Sequence, residues 1–132
     1  VKIESEPPYC TGTGKAILAC LSDKHVRDLI GQNLEKYTSK TITDLDQMIE
    51  ELDLIRSRGF AIDNEERQYG IKCVSVAIYH KSKVIGAISV TGAKERFSES
   101  RIIILADLVK DAAYFISQSL ETGIIPKWIR SH

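Results

Sequence analysis

Apolar residues recur every three to four positions in three parts of the chain, and this spacing predicts amphipathic α-helices. The first part, residues 22–31, begins with a possible serine cap and ends on glycine. The second, residues 43–59, can be capped by Thr43 or Asp44 and also ends on glycine. The third follows Ser98, and its apolar positions predict a long helix that covers one sheet face: Ile102, Leu105, Ala106, Leu108, Val109, Ala112, Ala113 and Ile116.

Runs rich in β-branched residues predict strands elsewhere in the chain. Residues 71–80 and 84–91 are two such runs, and the short polar segment 81–83 between them predicts an antiparallel hairpin. A shorter strand is expected at residues 60–62, and the alternation at residues 1–5 predicts another. Helices interspersed with antiparallel strands define an α+β fold class.

A glycine-rich segment, residues 11–15, leads into the small and apolar residues 16–21, which predict a short buried helix. Backbone amides at such a helix start can bind a carboxylate or phosphate. The spacing lacks a glycine of the phosphate-binding P-loop, so it gives little support to nucleotide binding. The alternative is that the glycines allow only tight helix packing, and the sequence does not decide between the two.

Composition limits the range of functions. A chain of 132 residues with 43% hydrophobic and 27% charged residues is the size and type of one ordinary globular domain. Eighteen basic and eighteen acidic side chains give zero net charge, which argues against direct nucleic-acid binding. Apolar runs are far shorter than the roughly 20 residues that cross a bilayer, and no secretory leader is recognisable, so a cytoplasmic location without membrane contact is expected.

The three cysteines are odd in number and form no Cys-x-x-Cys pair, so reduced thiols are expected rather than disulfides or a zinc site: Cys10, Cys20 and Cys73. Cys73 could be a nucleophile if a histidine activated it. No histidine stands at a position that predicts this role: His25, His80 and His132. A structural or ligand-lining role for Cys73 is therefore favoured over a catalytic one, and no metal or cofactor is predicted.

Four polar residues fall where strands are expected, and they are the best candidates for a ligand site. Asp63 ends the short strand, ten residues before Cys73. Ser89 and Thr91 have the same parity on the second hairpin strand, so they point to one face. A buried hydroxyl without a partner costs roughly 1–3 kcal/mol, so either a ligand supplies partners or this face is solvated. The neighbouring pair Glu65 and Glu66 is expected to be solvated loop charge.

Five segments, taken in their order and spacing, resemble the effector-binding domain of IclR-type bacterial transcriptional regulators. They are residues 12–19 (GTGKAILA), 37–44 (YT and TITD), 58–66 (RGFAIDNEE), 70–74 (GIKCV) and 86–92 (GAISVTG). The resemblance implies a GAF-like fold, an antiparallel sheet flanked by helices, over residues 1–123. Residues 124–132 form a tail that the resemblance does not explain.

The resemblance also implies a metabolite pocket on one face of the sheet. Its carboxylate would lie against the glycine-rich helix start at Gly12 and Thr13. Polar side chains would complete the pocket, with Ile71 as an apolar wall: Asp63, Cys73, Ser89 and Thr91. Threonine at position 91, where relatives carry serine, adds a methyl group that narrows the pocket, so the effector does not transfer from a relative.

The expected function is therefore a small-molecule sensor rather than an enzyme, with a keto acid, sugar acid or aromatic acid as effector. DNA would be bound only through a winged helix-turn-helix domain that this sequence lacks, as it lacks the opening strands of the sheet. The open sheet edge predicts a homo-oligomer, a dimer or tetramer. Two alternatives remain: a small thiol-dependent hydrolase that uses Cys73, and a structural dimerisation module.

Overall fold

The computed structural model describes residues 6–123, so the strand predicted at residues 1–5 and the tail at 124–132 lie outside the described residues. Within this range the chain forms four α-helices and three β-strands. They are α1 (Gly12–Leu18), α2 (Asp23–Ile30), α3 (Leu45–Arg58), β1 (Ala61–Asn64), β2 (Ile71–His80), β3 (Lys83–Ala93) and α4 (Glu99–Thr122). Short 3₁₀ turns at Pro8–Cys10 and Lys94–Arg96 precede α1 and α4. The predicted α+β class is confirmed.

Helices α2 and α3 begin and end where the sequence predicts, whereas α1 begins at Gly12 and ends at Leu18, earlier than the predicted residues 16–21. The Ser22 hydroxyl accepts a hydrogen bond from the His25 amide at 3.1 Å, which caps α2. Asp44, rather than Thr43, caps α3 by accepting from the amides of residues 46 and 47. Gly59 ends α3 with a φ of 85°, a left-handed conformation that glycine adopts without strain.

The three strands form an antiparallel sheet in the order β1-β2-β3. The β2–β3 hairpin is confirmed, but its turn is shorter than predicted. Lys81 and Ser82 both have positive φ, 51° and 64°, as in a two-residue type I′ turn, so Lys83 already pairs with His80. The strand then continues to Ala93, two residues beyond the predicted end, because pairing persists to Ile71.

The first strand lies slightly later in the chain than the predicted 60–62. It runs from Ala61 to Asn64, and its register places Asp63 opposite Cys73. Asp63 is therefore part of the sheet rather than the end of it. This shift matters because it aligns the carboxyl group with polar residues on the other two strands.

Helices cover both faces of the sheet. One core joins α1 and α3 to one side of the sheet, and its fully buried members include Val26, Met48 and Leu52. The other core lies under α4, where Val74, Phe97 and Ala106 are buried. Phe60, Ile102 and Leu105 pack against them, so α4 covers one sheet face, as the sequence predicts. Within residues 6–123 no helix is long and apolar enough to cross a membrane.

Of the apolar positions predicted to cover the sheet, one residue of α4 is exposed rather than buried or half-buried. Leu108 is 60% exposed, whereas Ala106 is 2% exposed. Two residues correspond to about 200° around a helix, so the two side chains lie on opposite faces. The prediction for Leu108 was wrong because the apolar surface of α4 is wider than the sheet that it covers.

Candidate functional site

A cavity of about 240 Å³ opens between the start of α1 and the sheet. All seven residues that the sequence singled out line it: Gly12, Thr13, Asp63, Ile71, Cys73, Ser89 and Thr91. Four further lining residues were not predicted: Glu6, Thr11, Arg67 and Gln68. The structure thus brings the predicted residues together at one place.

The sheet register explains how distant residues meet. Asp63, Cys73 and Thr91 are direct partners across β1, β2 and β3. Two residues further along, Ser75 on β2 is paired with Ser89 on β3. Partners across antiparallel strands point to the same face, as do residues two apart along one strand. One sheet face therefore presents a compact polar patch towards α1.

The hydroxyl groups of this patch are linked to one another. The Ser75 hydroxyl donates to Ser89 Oγ at 2.9 Å, and Ser89 Oγ lies 3.4 Å from Thr91 Oγ1. Cys73 Sγ lies 3.8 Å from Ser75 Oγ. Ser75 is fully buried and was missed, although it has the same parity as Cys73. The protein itself thus supplies a partner for Ser89, which the sequence arguments had sought in a ligand or in solvent.

Helix α1 approaches the sheet at a distance that only glycine permits. A Cβ atom at Gly12 would collide with Cys73 Sγ and Ser75 Oγ. A Cβ atom at Gly14 would collide with the backbone of Pro8. Tight packing is therefore one real role of the glycine-rich segment. The first amides of a helix have no carbonyl in a preceding turn, so those of Gly12 and Thr13 also remain suited to an anion.

Lys15 follows these glycines but does not serve the cavity. Its ammonium group is fully buried outside the lining of the cavity and donates to the Ile62 carbonyl at 2.6 Å. It also lies 2.9 Å and 3.0 Å from the two carboxylate oxygens of Glu66. This position explains physically why the segment is no phosphate loop, since the lysine is fully engaged with protein groups.

Asp63 has an unusual electrostatic setting. Burial raises the pKa of its carboxyl group to about 6, and the nearby negative charge of Glu66 adds to the rise. The Glu66 amide, which donates to Asp63 Oδ1 at 2.8 Å, and the charge of Lys15 act in the opposite direction. The carboxyl group can therefore change its protonation state in mildly acidic solution.

Glu65 and Glu66 are buried, so the expectation of solvated loop charge was wrong for both. Glu65 is 6% exposed and pairs with Lys40 at 2.6 Å. This ammonium group, together with the Gly70 amide, lowers the pKa of Glu65 to about 2. Glu66 pairs with Lys15, so both carboxylates find cations that are far away in the sequence. These ion pairs fix the loop between β1 and β2 beside the cavity.

Arg67 is the functional candidate that the sequence arguments missed. Its Nε donates to the Glu6 carboxylate at 2.8 Å, and its guanidinium group lies 4.1 Å from the centre of the Tyr37 ring. The side chain is 39% exposed. No periodicity or motif marks this residue, because it belongs to a polar loop that only the fold brings to the cavity.

No histidine within residues 6–123 is hydrogen-bonded to Cys73. The thiol is buried, and its hydrogen-bond partner among the described residues is the Ser75 hydroxyl at 3.8 Å. His80 lies on the same strand seven residues away, which is about 23 Å at ~3.3 Å per residue. His25 lies on α2, and His132 is outside the described residues. Among residues 6–123 no group of three metal-binding side chains is found either.

The fold and the cavity define a small-molecule-binding domain of the α+β class, with a few convergent polar groups in a largely preformed pocket. Residues 4–118 match the family described as "Bacterial transcriptional regulator IclR C-terminal". The chain belongs to this family.

Individual relatives agree with this assignment. The HTH-type transcriptional repressor AllR of Escherichia coli K12 is 34% identical over 116 residues, which are 86% of this chain and 43% of AllR. The Agobacterium tumefaciens repressor BlcR superimposes with a TM-score of 0.84 at 29% identity, covering 87% of this chain and 48% of BlcR. The C-terminal domain of the E. coli regulator KdgR gives 0.80 at 32% identity, covering 86% and 71%. The chain spans less than half the length of the curated relatives that it matches.

Proposed function

We propose that this chain is the effector-sensing domain of a bacterial DNA-binding transcriptional regulator. It binds a small carboxylate metabolite in the cavity and thereby controls operator binding. The observation that carries this proposal is the convergence of α1, β1, β2 and β3 on one cavity of about 240 Å³. This volume is below the roughly 300–1,000 Å³ of pockets for drug-sized ligands, so it suits a small metabolite.

The polar groups of the cavity assign a role to each part of such a ligand. The amides of Gly12 and Thr13 and the hydroxyls of Ser89 and Thr91 donate to a carboxylate or carbonyl group. Asp63 accepts from a hydroxyl group of the ligand when it is ionised, and donates to a ligand oxygen when it is protonated. Cys73 and Ile71 provide the less polar wall. Keto acids, sugar acids and aromatic acids all combine these features.

Regulation follows if the effector binds one arrangement of the domain more tightly than another. A ligand in this cavity contacts both α1 and the sheet, so it stabilises one relative position of these two layers. We propose that DNA is bound through a separate domain of the regulator, because this chain carries no net positive charge. We also propose a homo-oligomer, and a cytoplasmic location, where operator DNA lies.

The two alternative functions have weaker support. A thiol-dependent hydrolase needs a base that is hydrogen-bonded to Cys73, and the hydrogen-bond partner of the thiol within residues 6–123 is the Ser75 hydroxyl, which is not a base. A purely structural dimerisation module does not need a cavity lined by Asp63 and two hydroxyl groups. We therefore propose a sensor without catalytic activity.

Thermal-shift screening of small keto, sugar and aromatic acids tests the proposal. A ligand at about 100 times its Kd stabilises the fold by about 2.7 kcal/mol. Ser89→Ala and Asp63→Ala should abolish the shift that a hit produces. Ser57→Ala is the matched control, because this exposed serine on α3 donates to the Leu54 carbonyl and has no other hydrogen-bond partner among the described residues. Shifts that persist in both cavity variants, or turnover of a hit that depends on Cys73, would overturn the proposal.

A further inference from the structure

Charge in the cavity is unevenly distributed. Among the described lining residues Glu6 and Asp63 are acidic, and Arg67 alone is basic. A ligand carboxylate that enters the cavity therefore meets two groups that can repel it. Among the described lining residues, Arg67 supplies the positive charge that can attract a ligand carboxylate. The ammonium group of Lys15 is bonded to Glu66 and to the Ile62 carbonyl instead.

Arg67 is held in position before any ligand binds. Its guanidinium group stacks on Tyr37 and is bound by Glu6 through Nε. Tyr37 is fixed in turn, since its hydroxyl donates to Glu35 at 3.0 Å and its amide donates to Thr41 Oγ1 at 3.1 Å. Because the side chain is already held in place, less conformational entropy is lost when a ligand binds.

The guanidinium group also has spare donors. It carries five N–H bonds, of which the Nε–H is used by Glu6. Within residues 6–123, no acceptor is found for Nη1 or Nη2 of Arg67. Two neighbouring Nη atoms match the two oxygens of a carboxylate in spacing and geometry. The open side of Arg67 is thus a ready partner for an anion.

We infer that Arg67 determines effector specificity: it selects ligands with an anionic group, which it binds through Nη1 and Nη2, over uncharged ligands of the same shape. This inference rests on the proposed function and adds the residue that reads the ligand's charge. Asp63 and the hydroxyls of β3 then bind the neutral polar part, so the effector is a small carboxylate with a further hydroxyl or carbonyl group. Glu6, the carboxylate already next to Arg67, weakens the attraction for the effector.

Binding of matched acid and amide pairs tests the inference, with pyruvate against pyruvamide, glycerate against glyceramide, and benzoate against benzamide. Arg67 is partly exposed, so water weakens its charge-assisted hydrogen bonds to the ligand, and a preference for the acid of roughly tenfold is expected. Arg67→Met should remove this preference, and Arg67→Lys should retain part of it. Glu6→Gln should bind the acid more tightly than the wild type does.

Arg27→Met is the control for loss of a surface arginine. Arg27 pairs with Asp46 at 2.8 Å and is 44% exposed, which closely matches the pairing and exposure of Arg67, but it lies on α2 away from the cavity. This variant should keep the full acid preference. Melting curves of all variants establish that each one is folded during the measurement.

The outcomes separate the two proposals. Amides that bind the wild type as tightly as acids, or an acid affinity that Arg67→Met leaves unchanged, would overturn the role of Arg67. If binding in that case still depends on Asp63 and Ser89, the proposed function stands. If no acid or amide binds the wild type, both proposals fail.

Discussion

Replacing Gly12 by alanine tests the close approach of α1 to the sheet, on which the cavity depends. The new Cβ atom would collide with Cys73 Sγ and Ser75 Oγ. Both neighbours are buried, and their strand is paired on both sides at this point, so neither can move freely. The helix must therefore shift away from β2, or the side chains must leave their preferred rotamers.

The expected destabilisation follows from two opposing effects. Overpacking of a filled core destabilises by about 1–3 kcal/mol. Alanine in place of glycine stabilises by about 0.4–1 kcal/mol through the unfolded chain. The net loss in unfolding free energy is then about 1.3 kcal/mol, within a range of roughly 0–2.6 kcal/mol. For a domain of this size each kcal/mol lowers Tm by roughly 3–5 °C.

Thermal and urea unfolding of Gly12→Ala measure this loss, and Gly86→Ala is the matched control. A Cβ atom at Gly86, on β3, meets no atom within 4 Å, so only the smaller stabilising effect applies there. Gly12→Ala should therefore lower the unfolding free energy, and Gly86→Ala should raise it. Ser75→Ala, which removes one colliding atom, should restore part of the stability of Gly12→Ala. A Gly12→Ala protein that melts at or above the wild-type Tm would refute the reasoning.

Two further predictions concern the charges around the cavity. Folded Asp63, with a pKa of about 6 against 3.8 in the unfolded chain, holds its proton between about pH 4 and 6, so wild-type stability should fall as pH rises through this window. Asp63→Asn should flatten this part of the urea-unfolding profile, and an unchanged slope would contradict the assignment. Lys15→Met should lower the unfolding free energy by about 3–5 kcal/mol, because it leaves the Glu66 carboxylate buried without its cation. Adding Glu66→Gln should recover part of that loss, and strictly additive effects would argue against the pair.

Much of the fold was predictable because it depends on short-range signals. Ser22, Asp44 and Ser98 cap helices through bonds that span two or three residues, and such bonds are visible in the sequence. The length of the hairpin turn was harder to predict, since a lysine and a serine with positive φ replace the usual asparagine and glycine. The sequence therefore placed the hairpin correctly but made its turn one residue too long.

In the candidate site, too, the residues marked by local sequence patterns could be predicted, and those that depend on distant partners could not. Ser89 and Thr91 could be paired from strand parity, and Asp63 and Cys73 stood out as polar residues on expected strands. The family resemblance added Ile71 and assigned these residues to one pocket. Arg67 could not be predicted, because its place depends on Glu6 and Tyr37, which are 61 and 30 residues away in the chain. Glu65 and Glu66 were misjudged for the same reason, since their cations belong to distant segments.

The buried carboxylate of Glu66 connects the cavity to helices α1 and α3, and it is therefore relevant to how ligand binding would change the rest of the domain. Glu66 binds Lys15 of α1 through its carboxylate and donates its amide to Asp63, a lining residue. Lys15 in turn lies 3.5 Å from Glu51 of α3. An effector that alters the protonation of Asp63 or the position of α1 therefore acts on groups that are already bonded to α3. Asp63, Glu66 and Lys15 are buried and Glu51 is partly exposed, so we expect a small change at the cavity to affect α1, β1 and α3 together rather than one side chain alone.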